Sequence, residues 1–86
     1  SENVLRFIEK YNFKFKFDLI FLDPPYKDKN LIKLFIKFEN LKILKTGTIV
    51  ILHRHKNETD ILPPGFKVIE EKQYGISKIL FIKYLD

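Results

Sequence analysis

The sequence has no cysteine, only three glycines and no long apolar run. Because cysteine is absent, neither a disulfide framework nor a thiolate metal site can form, which fits a reducing cytoplasm. A membrane-spanning helix needs about 20 consecutive apolar residues, and no stretch approaches that length. The first residues, SENVLRFIEKYN, are amphipathic and carry acids, which is not typical of a signal peptide. We therefore expect a cytoplasmic protein without a membrane partner.

The length and composition predict one small globular domain with a basic surface. The chain has 86 residues, of which 45% are hydrophobic and 31% are charged. Its 16 lysines and arginines outnumber its 11 acids, so the formal net charge is +5. That balance favours a polyanionic partner such as RNA or DNA. Coding sequence rich in A and T produces a similar composition, so charge alone leaves the partner open.

The first part of the chain predicts a helix and then a buried strand. Apolar residues at helical spacing predict a short helix over residues 3–11. Residues 18–23, DLIFLD, contain a short continuous apolar run between two aspartates, which is the pattern of a strand covered on both faces in a parallel sheet. Pro24 and Pro25 end this strand, because neither can donate a ladder hydrogen bond.

A second helix is predicted to begin near Lys29, after Asp28 as its N-terminal cap. Asn40 divides this helix, which leaves a last turn over residues 41–45, and Gly47 is predicted to end it. One face of the helix is apolar and is predicted to pack on the core. That face comprises Leu31, Leu34, Phe35, Phe38 and Leu41.

The remaining sequence predicts a strand and a hairpin separated by a polar loop. Residues 48–53 form a second buried strand, and Pro63 and Pro64 exclude regular structure from the loop after it. Two strand-like segments flank Gly75 and predict an antiparallel hairpin. The fold class is therefore α/β, and its strand–helix–strand unit implies a parallel crossover.

The stretch FDLIFLDPPY places an acid, two prolines and an aromatic ring at the end of a buried strand. Ligands of open α/β sheets bind outside the carboxyl ends of the strands. The rigid prolines can aim the Asp23 carboxylate and the Pro24 carbonyl into one cleft, where two adjacent acceptors suit an exocyclic amino group. Tyr26 offers a ring for a flipped base to stack on.

We call the segment from Asp23 to Tyr26 the corner. Its chemistry is predicted to be methyl transfer to an amine, because acceptors placed in advance stabilise the positive charge that grows on the nitrogen. The alternative interpretation is structural. In that case the two prolines only end the strand, Asp23 caps a turn and Tyr26 packs against its neighbours.

A basic segment follows the second predicted strand. His53 and His55 share one face there, but no third ligand is evident nearby, so we expect no metal site. Arg54 and Lys56 are predicted to contact RNA phosphates together with Lys27 or Lys29 at the other strand end. The alternative interpretation is a solvated strand end.

FDLIFLDPPY resembles motif IV, (D/N)-P-P-(Y/F), of class I methyltransferases that depend on S-adenosylmethionine. Along essentially all 86 residues, the chain resembles the C-terminal half of the bacterial small-subunit ribosomal RNA (guanine-N2)-methyltransferase family. NVLRFIEKY is similar to the helix after the family's third strand, LKTGTIVILH to its fifth strand, and EKQYGISKILFIKYL to its closing hairpin. The resemblance implies one partial domain over residues 1–86, the C-terminal half of a Rossmann-like fold with parallel strands and a C-terminal antiparallel hairpin.

The resemblance also implies roles for particular residues. Asp23, Pro24, Pro25 and Tyr26 match the family's catalytic corner, and Asp23 would also face the cofactor, S-adenosylmethionine. Asn3 stands where the family usually has an aspartate that meets the cofactor adenine. Its other interpretation is a helix cap.

Most of the cofactor pocket that the resemblance implies has no counterpart in this sequence. The family holds the methionine part of the cofactor with a Gly-rich loop, whereas the glycines at 47, 65 and 75 form no G-x-G. We therefore expect little or no activity from this chain alone. In the complete fold the strand over residues 18–23 is central. Its bare edge here predicts self-association or pairing with the missing N-terminal half.

The reaction implied by the resemblance is methylation of the N2 amine of a guanine, with ribosomal RNA or the small ribosomal subunit as the partner. Two alternatives stay open. One is a fragment of an N6-adenine DNA methyltransferase, which shares the corner. The other is a non-enzymatic remnant that binds RNA or a protein through its basic surface or open edge.

Overall fold

The computed structural model describes residues 16–25 and 30–86. The predicted helix over residues 3–11 and the Asp28 cap lie outside these residues. One helix and four strands follow one another in the described ranges: β1 (Phe17–Leu22), α1 (Leu31–Asn40), β2 (Leu44–His55), β3 (Phe66–Tyr74) and β4 (Ser77–Tyr84).

The four strands form one mixed sheet in the order β1-β2-β4-β3. β1 runs parallel to β2, whereas β4 is antiparallel to both β2 and β3. The predicted α/β class, with parallel strands and a closing antiparallel hairpin, is confirmed. Within the described ranges, no helix is long and apolar enough to cross a membrane.

The core lies between α1 and one face of the sheet. Side chains alternate along β2, so Val50, Leu52 and Arg54 are buried while the residues between them are only half-buried. The Phe35 ring of the helix lies edge-on to Phe66 of β3, with 4.9 Å between ring centroids. The buried apolar cluster comprises Leu22, Leu31, Leu34, Phe35, Phe38, Ile43, Leu44, Val50, Leu52, Leu80 and Ile82.

A polar contact also joins the helix to the sheet. The Tyr84 hydroxyl of β4 donates a hydrogen bond to the Glu39 carboxylate, 3.0 Å away. Burial, and then the hydrogen bond and the negative charge of Glu39, raise the pKa of Tyr84 above its ordinary value of 10.0. The hydroxyl therefore stays protonated and keeps this bond at neutral pH.

The end of α1 differs from the prediction. The predicted face is confirmed for Leu31, Leu34, Phe35 and Phe38, but no helical turn covers residues 41–45. Lys42 adopts a left-handed backbone with φ 57°, which takes the chain out of the helix, and β2 begins two residues later.

Gly47 was predicted to end a helix, and this prediction is wrong because Gly47 lies inside β2. Phe17 pairs with Leu44 and Leu19 pairs with Ile49. An advance of two residues along β1 therefore corresponds to five residues along β2, so β2 contains a bulge here. Gly47, with φ 96°, lies in this bulge, where a residue with a Cβ would be strained. The buried Thr48 hydroxyl closes the bulge by donating to the Phe17 carbonyl at 2.7 Å.

The second face of the sheet is apolar and open at β1. Leu19 and Phe21 are 46% and 73% exposed, and they pair with Ile49 and Ile51 of β2. In the described part of the chain, β1 pairs with β2 alone and forms an edge of the sheet. A parallel strand is normally covered on both faces, so this surface is of the kind that a further layer of structure normally covers.

Candidate active site

Two neighbouring strand ends meet at one corner of the sheet. β1 and β2 are parallel, and their last paired residues are Leu22 and Leu52. The next residues, Asp23 and His53, therefore lie side by side at the carboxyl edge. Pro24 is buried, while Asp23 on one side of it is exposed. The buried proline fixes the backbone at the point where the chain leaves the sheet.

The Asp23 carboxylate contacts the His53 ring. Its Oδ1 lies 3.0 Å from Nδ1 of His53, and the two side chains are 79% and 43% exposed. The carboxylate is thus open to solvent rather than sealed in the core, which a role in substrate binding requires. An open depression of about 390 Å³ borders His53 and is also lined by His55, Ile76 and Ser77.

Arg54 holds the other side of the corner. Its guanidinium is buried, with Nε and Nη2 donating to the two carboxylate oxygens of Asp60 at 2.9 and 3.0 Å. Nη1 donates to the Pro25 carbonyl at 3.3 Å, and Glu58 lies 3.6 Å from Nη2. One charged side chain therefore connects the corner, β2 and the loop over residues 56–65.

This geometry does not support the prediction that Arg54 contacts RNA phosphates. The side chain points to the helix side of the sheet with Val50 and Leu52, where it is 2% exposed and bound to an acid. Lys56, two residues later, is exposed, so its predicted contact stays a prediction. Tyr26, Lys27, Lys29 and Asn3 lie outside the described residues.

Sequence reasoning missed Asp60 and the role of Arg54. A signal was present, because the alternation along β2 places Arg54 on the same face as Leu52, and a buried arginine needs an acid. The partner could not be chosen, because the polar loop after β2 offers both Glu58 and Asp60. In the described residues, no group of three or more histidines, cysteines or acids could hold a metal ion.

The fold of the described residues matches the C-terminal part of the class I methyltransferase fold. A family model described as "Conserved hypothetical protein 95" matches residues 1–83, and the chain belongs to that family. The resemblance to the small-subunit ribosomal RNA methyltransferases is thereby confirmed at the level of the family.

Two curated relatives support this assignment. An uncharacterized methylase of Rickettsia prowazekii is 41% identical over 71 residues, which cover 79% of this chain and 29% of the relative. Ribosomal RNA small subunit methyltransferase D of Buchnera aphidicola is 29% identical over 70 residues, which cover 81% and 36%. The chain thus spans about a third of the length of these relatives.

Solved structures share the fold. A protein of Haemophilus influenzae described as a methylase has a TM-score of 0.79 at 22% identity, with 99% of this chain and 53% of that one covered. A conserved hypothetical protein of Streptococcus pyogenes has a TM-score of 0.75 at 28% identity, with 92% and 49% covered. The chain therefore spans about half the length of these structures.

We expect Arg54→Met to lower the free energy of unfolding by about 3–5 kcal/mol, because it leaves the Asp60 carboxylate partly buried without its partner. The matched control is Lys56→Met, which makes the same replacement two residues later at an exposed site and should change stability by about 0.5 kcal/mol or less. Urea unfolding measures both. Equal stabilities of the two variants would contradict a buried ion pair at the corner.

Proposed function

We propose that this chain carries the catalytic corner of an enzyme that methylates the exocyclic N2 amine of a guanine in small-subunit ribosomal RNA. The observation that carries the proposal is the solvent-open Asp23 carboxylate at the shared carboxyl edge of β1 and β2. The family membership and the name of the Buchnera relative support methyl transfer and the ribosomal substrate. Such an enzyme would work in the cytoplasm, where ribosomes are assembled.

The corner's own chemistry follows from its acceptors. The Asp23 carboxylate accepts a hydrogen bond from the substrate amine and stabilises positive charge as it grows on the nitrogen. The proton becomes acidic as the new bond forms, so it can pass to the carboxylate or to water without a strong base. The Pro24 carbonyl is the second proposed acceptor, and Tyr26 is the proposed stacking ring.

S-adenosylmethionine, when bound, supplies the methyl group on a positively charged sulfur. The described residues fit only the transfer end of such a cofactor. Gly47 lies in a strand bulge and Gly75 in the hairpin turn, so neither forms a loop around the methionine part. Asp23, and Asn3 as the proposed adenine contact, are the residues that this chain would contribute. In this proposal, the rest of the pocket would come from additional polypeptide.

We propose that this additional polypeptide docks on the open side of β1. The exposed Phe21 and Leu19 and the position of β1 at the edge of the described sheet suit a further strand and a covering layer. The relatives are about two to three and a half times as long as the segment that matches this chain, which leaves enough polypeptide to supply both. In the absence of that polypeptide, the same edge favours self-association.

Ribosomal RNA would be held by positive charge around the corner. The formal net charge is +5, and Lys56 is exposed one residue after β2 ends. The proposed phosphate contacts are Lys56, Lys27 and Lys29. Arg54 is buried and is not one of them. Such contacts position the RNA but do not choose the base, which leaves the choice to the corner.

The function is tested with the chain assembled with the polypeptide that supplies the Gly-rich loop. We expect methyl transfer to small-subunit RNA that contains guanine, and none to RNA whose guanines are replaced by hypoxanthine, which lacks the N2 amine. Asp23→Ala should lower kcat about 100- to 1,000-fold, because it removes an acceptor used in the transition state.

The matched control is Asp18→Ala, an exposed aspartate near the start of the same strand that pairs with Lys45. It should leave the rate unchanged. Equal methylation of the hypoxanthine RNA would exclude the N2 amine as the target. Methylation of adenine in DNA instead would favour the alternative enzyme, and an assembly that fails to bind S-adenosylmethionine would favour a non-enzymatic remnant.

We expect the isolated chain to self-associate, and Phe21→Lys to shift it towards monomer, because a charge on the open face disfavours edge pairing. Ile36→Lys introduces the same charge at an exposed site on α1, outside the sheet, and is the control. Size-exclusion chromatography with light scattering measures the mass. A stable wild-type monomer at high concentration would contradict self-association through the edge of β1.

A further inference from the structure

Two histidines on the same face of β2 make different hydrogen bonds through the same ring atom. Nδ1 of His53 lies 3.0 Å from Oδ1 of Asp23. Nδ1 of His55 lies 3.1 Å from the backbone nitrogen of Asn57, and that N–H points towards the ring as the donor. The partners therefore have opposite requirements at Nδ1.

These partners determine where each neutral ring carries its proton. A backbone N–H only donates, so Nδ1 of His55 must accept and the proton lies on Nε2. An ionised carboxylate only accepts, so Nδ1 of His53 must carry the proton and donate it to Asp23. These contacts therefore imply opposite tautomers for the two neutral histidines.

The hydrogen bond from His53 restrains an exposed side chain. The Asp23 side chain is 79% exposed, and the buried Pro24 fixes the backbone after it but not its side-chain torsions. When Oδ1 is bound to His53, the carboxylate plane is set and Oδ2 is left for another donor. A preset acceptor avoids the cost of ordering the group during the reaction.

We propose that His53 is a positioning residue of the corner, whose Nδ1–H holds Oδ1 of Asp23 so that Oδ2 faces the substrate amine. This inference rests on the proposed function for its effect on rate. The contact itself, and the tautomer that it imposes, are properties of this chain alone. His53 acts through Asp23 and takes no proton from the substrate.

The tautomers are measured on the 86-residue chain by two-bond ¹⁵N–¹H correlation spectra of the imidazole rings above pH 8. We expect the Nδ1–H pattern for His53 and the Nε2–H pattern for His55, which serves as the internal reference. In Asp23→Ala, His53 should lose the Nδ1–H pattern and His55 should keep its own. A wild-type His53 with the Nε2–H pattern would overturn the proposal.

The effect on rate is measured in the assembled enzyme with His53→Phe and His53→Asn. The phenylalanine removes the donor, and kcat should fall about 10- to 100-fold with the KM for RNA changed less than threefold, since small misplacements of a reacting group have costs of this size. The Nδ2 of asparagine can replace Nδ1 of histidine as the donor, so His53→Asn should retain a kcat within threefold of wild type.

Three results separate the inference from the function on which it rests. A kcat for His53→Phe equal to that of wild type would overturn positioning while leaving the methyltransferase function intact. Loss of activity in both variants would overturn positioning by the donor and would assign His53 another role. An assembled wild-type enzyme with no methyl transfer would overturn the function and this role with it, although the ring spectra would still establish the contact.

Discussion

The parallel pairing of β1 with β2 is the constraint on which the rest of the structure depends. Parallel strands end at the same edge, so Leu22 beside Leu52 dictates that Asp23 and His53 are neighbours although they are 30 residues apart. The helix α1 makes that pairing feasible, because a parallel connection needs a crossover and α1 covers one face of the sheet. The candidate site is therefore a result of topology and not of any local motif alone.

A buried charge then stiffens the corner that topology has built. Placing the Arg54 guanidinium in the core is unfavourable by itself, and the two bonds to Asp60 and the bond to the Pro25 carbonyl offset that cost. An apolar side chain would fill the same space but could not hold a carbonyl in place. Buried ion pairs can fix one conformation at a cost in stability, and here the segment that Arg54 orders is the candidate site at Pro25.

The elements with strong local patterns could be predicted from the sequence, and those set by tertiary contacts could not. The apolar face of α1 and the hairpin around Gly75 have clear patterns, and β1 is marked by its continuous apolar run, although one face of β1 is exposed. The start of β2 at Leu44, before Gly47, has no such signal. In the sequence Gly47 is typical of a helix end, and only the tertiary hydrogen bond from Thr48 to Phe17 shows that Gly47 lies in a bulge. Arg54 is predicted to be a surface cation when the sequence alone is considered, because the ion pair with Asp60 that buries it is a tertiary contact.

The most direct test of this account is the hydrogen exchange of the Arg54 side chain. The chain has two arginines, Arg6 and Arg54, so the two Nε–H signals in a ¹⁵N–¹H spectrum are assigned by one substitution, Arg6→Lys. A corner tied to β2 predicts a slowly exchanging Nε–H for Arg54, with nuclear Overhauser contacts from its guanidinium to Pro25. Rapid exchange of that proton without contacts to Pro25 would contradict a clamped corner.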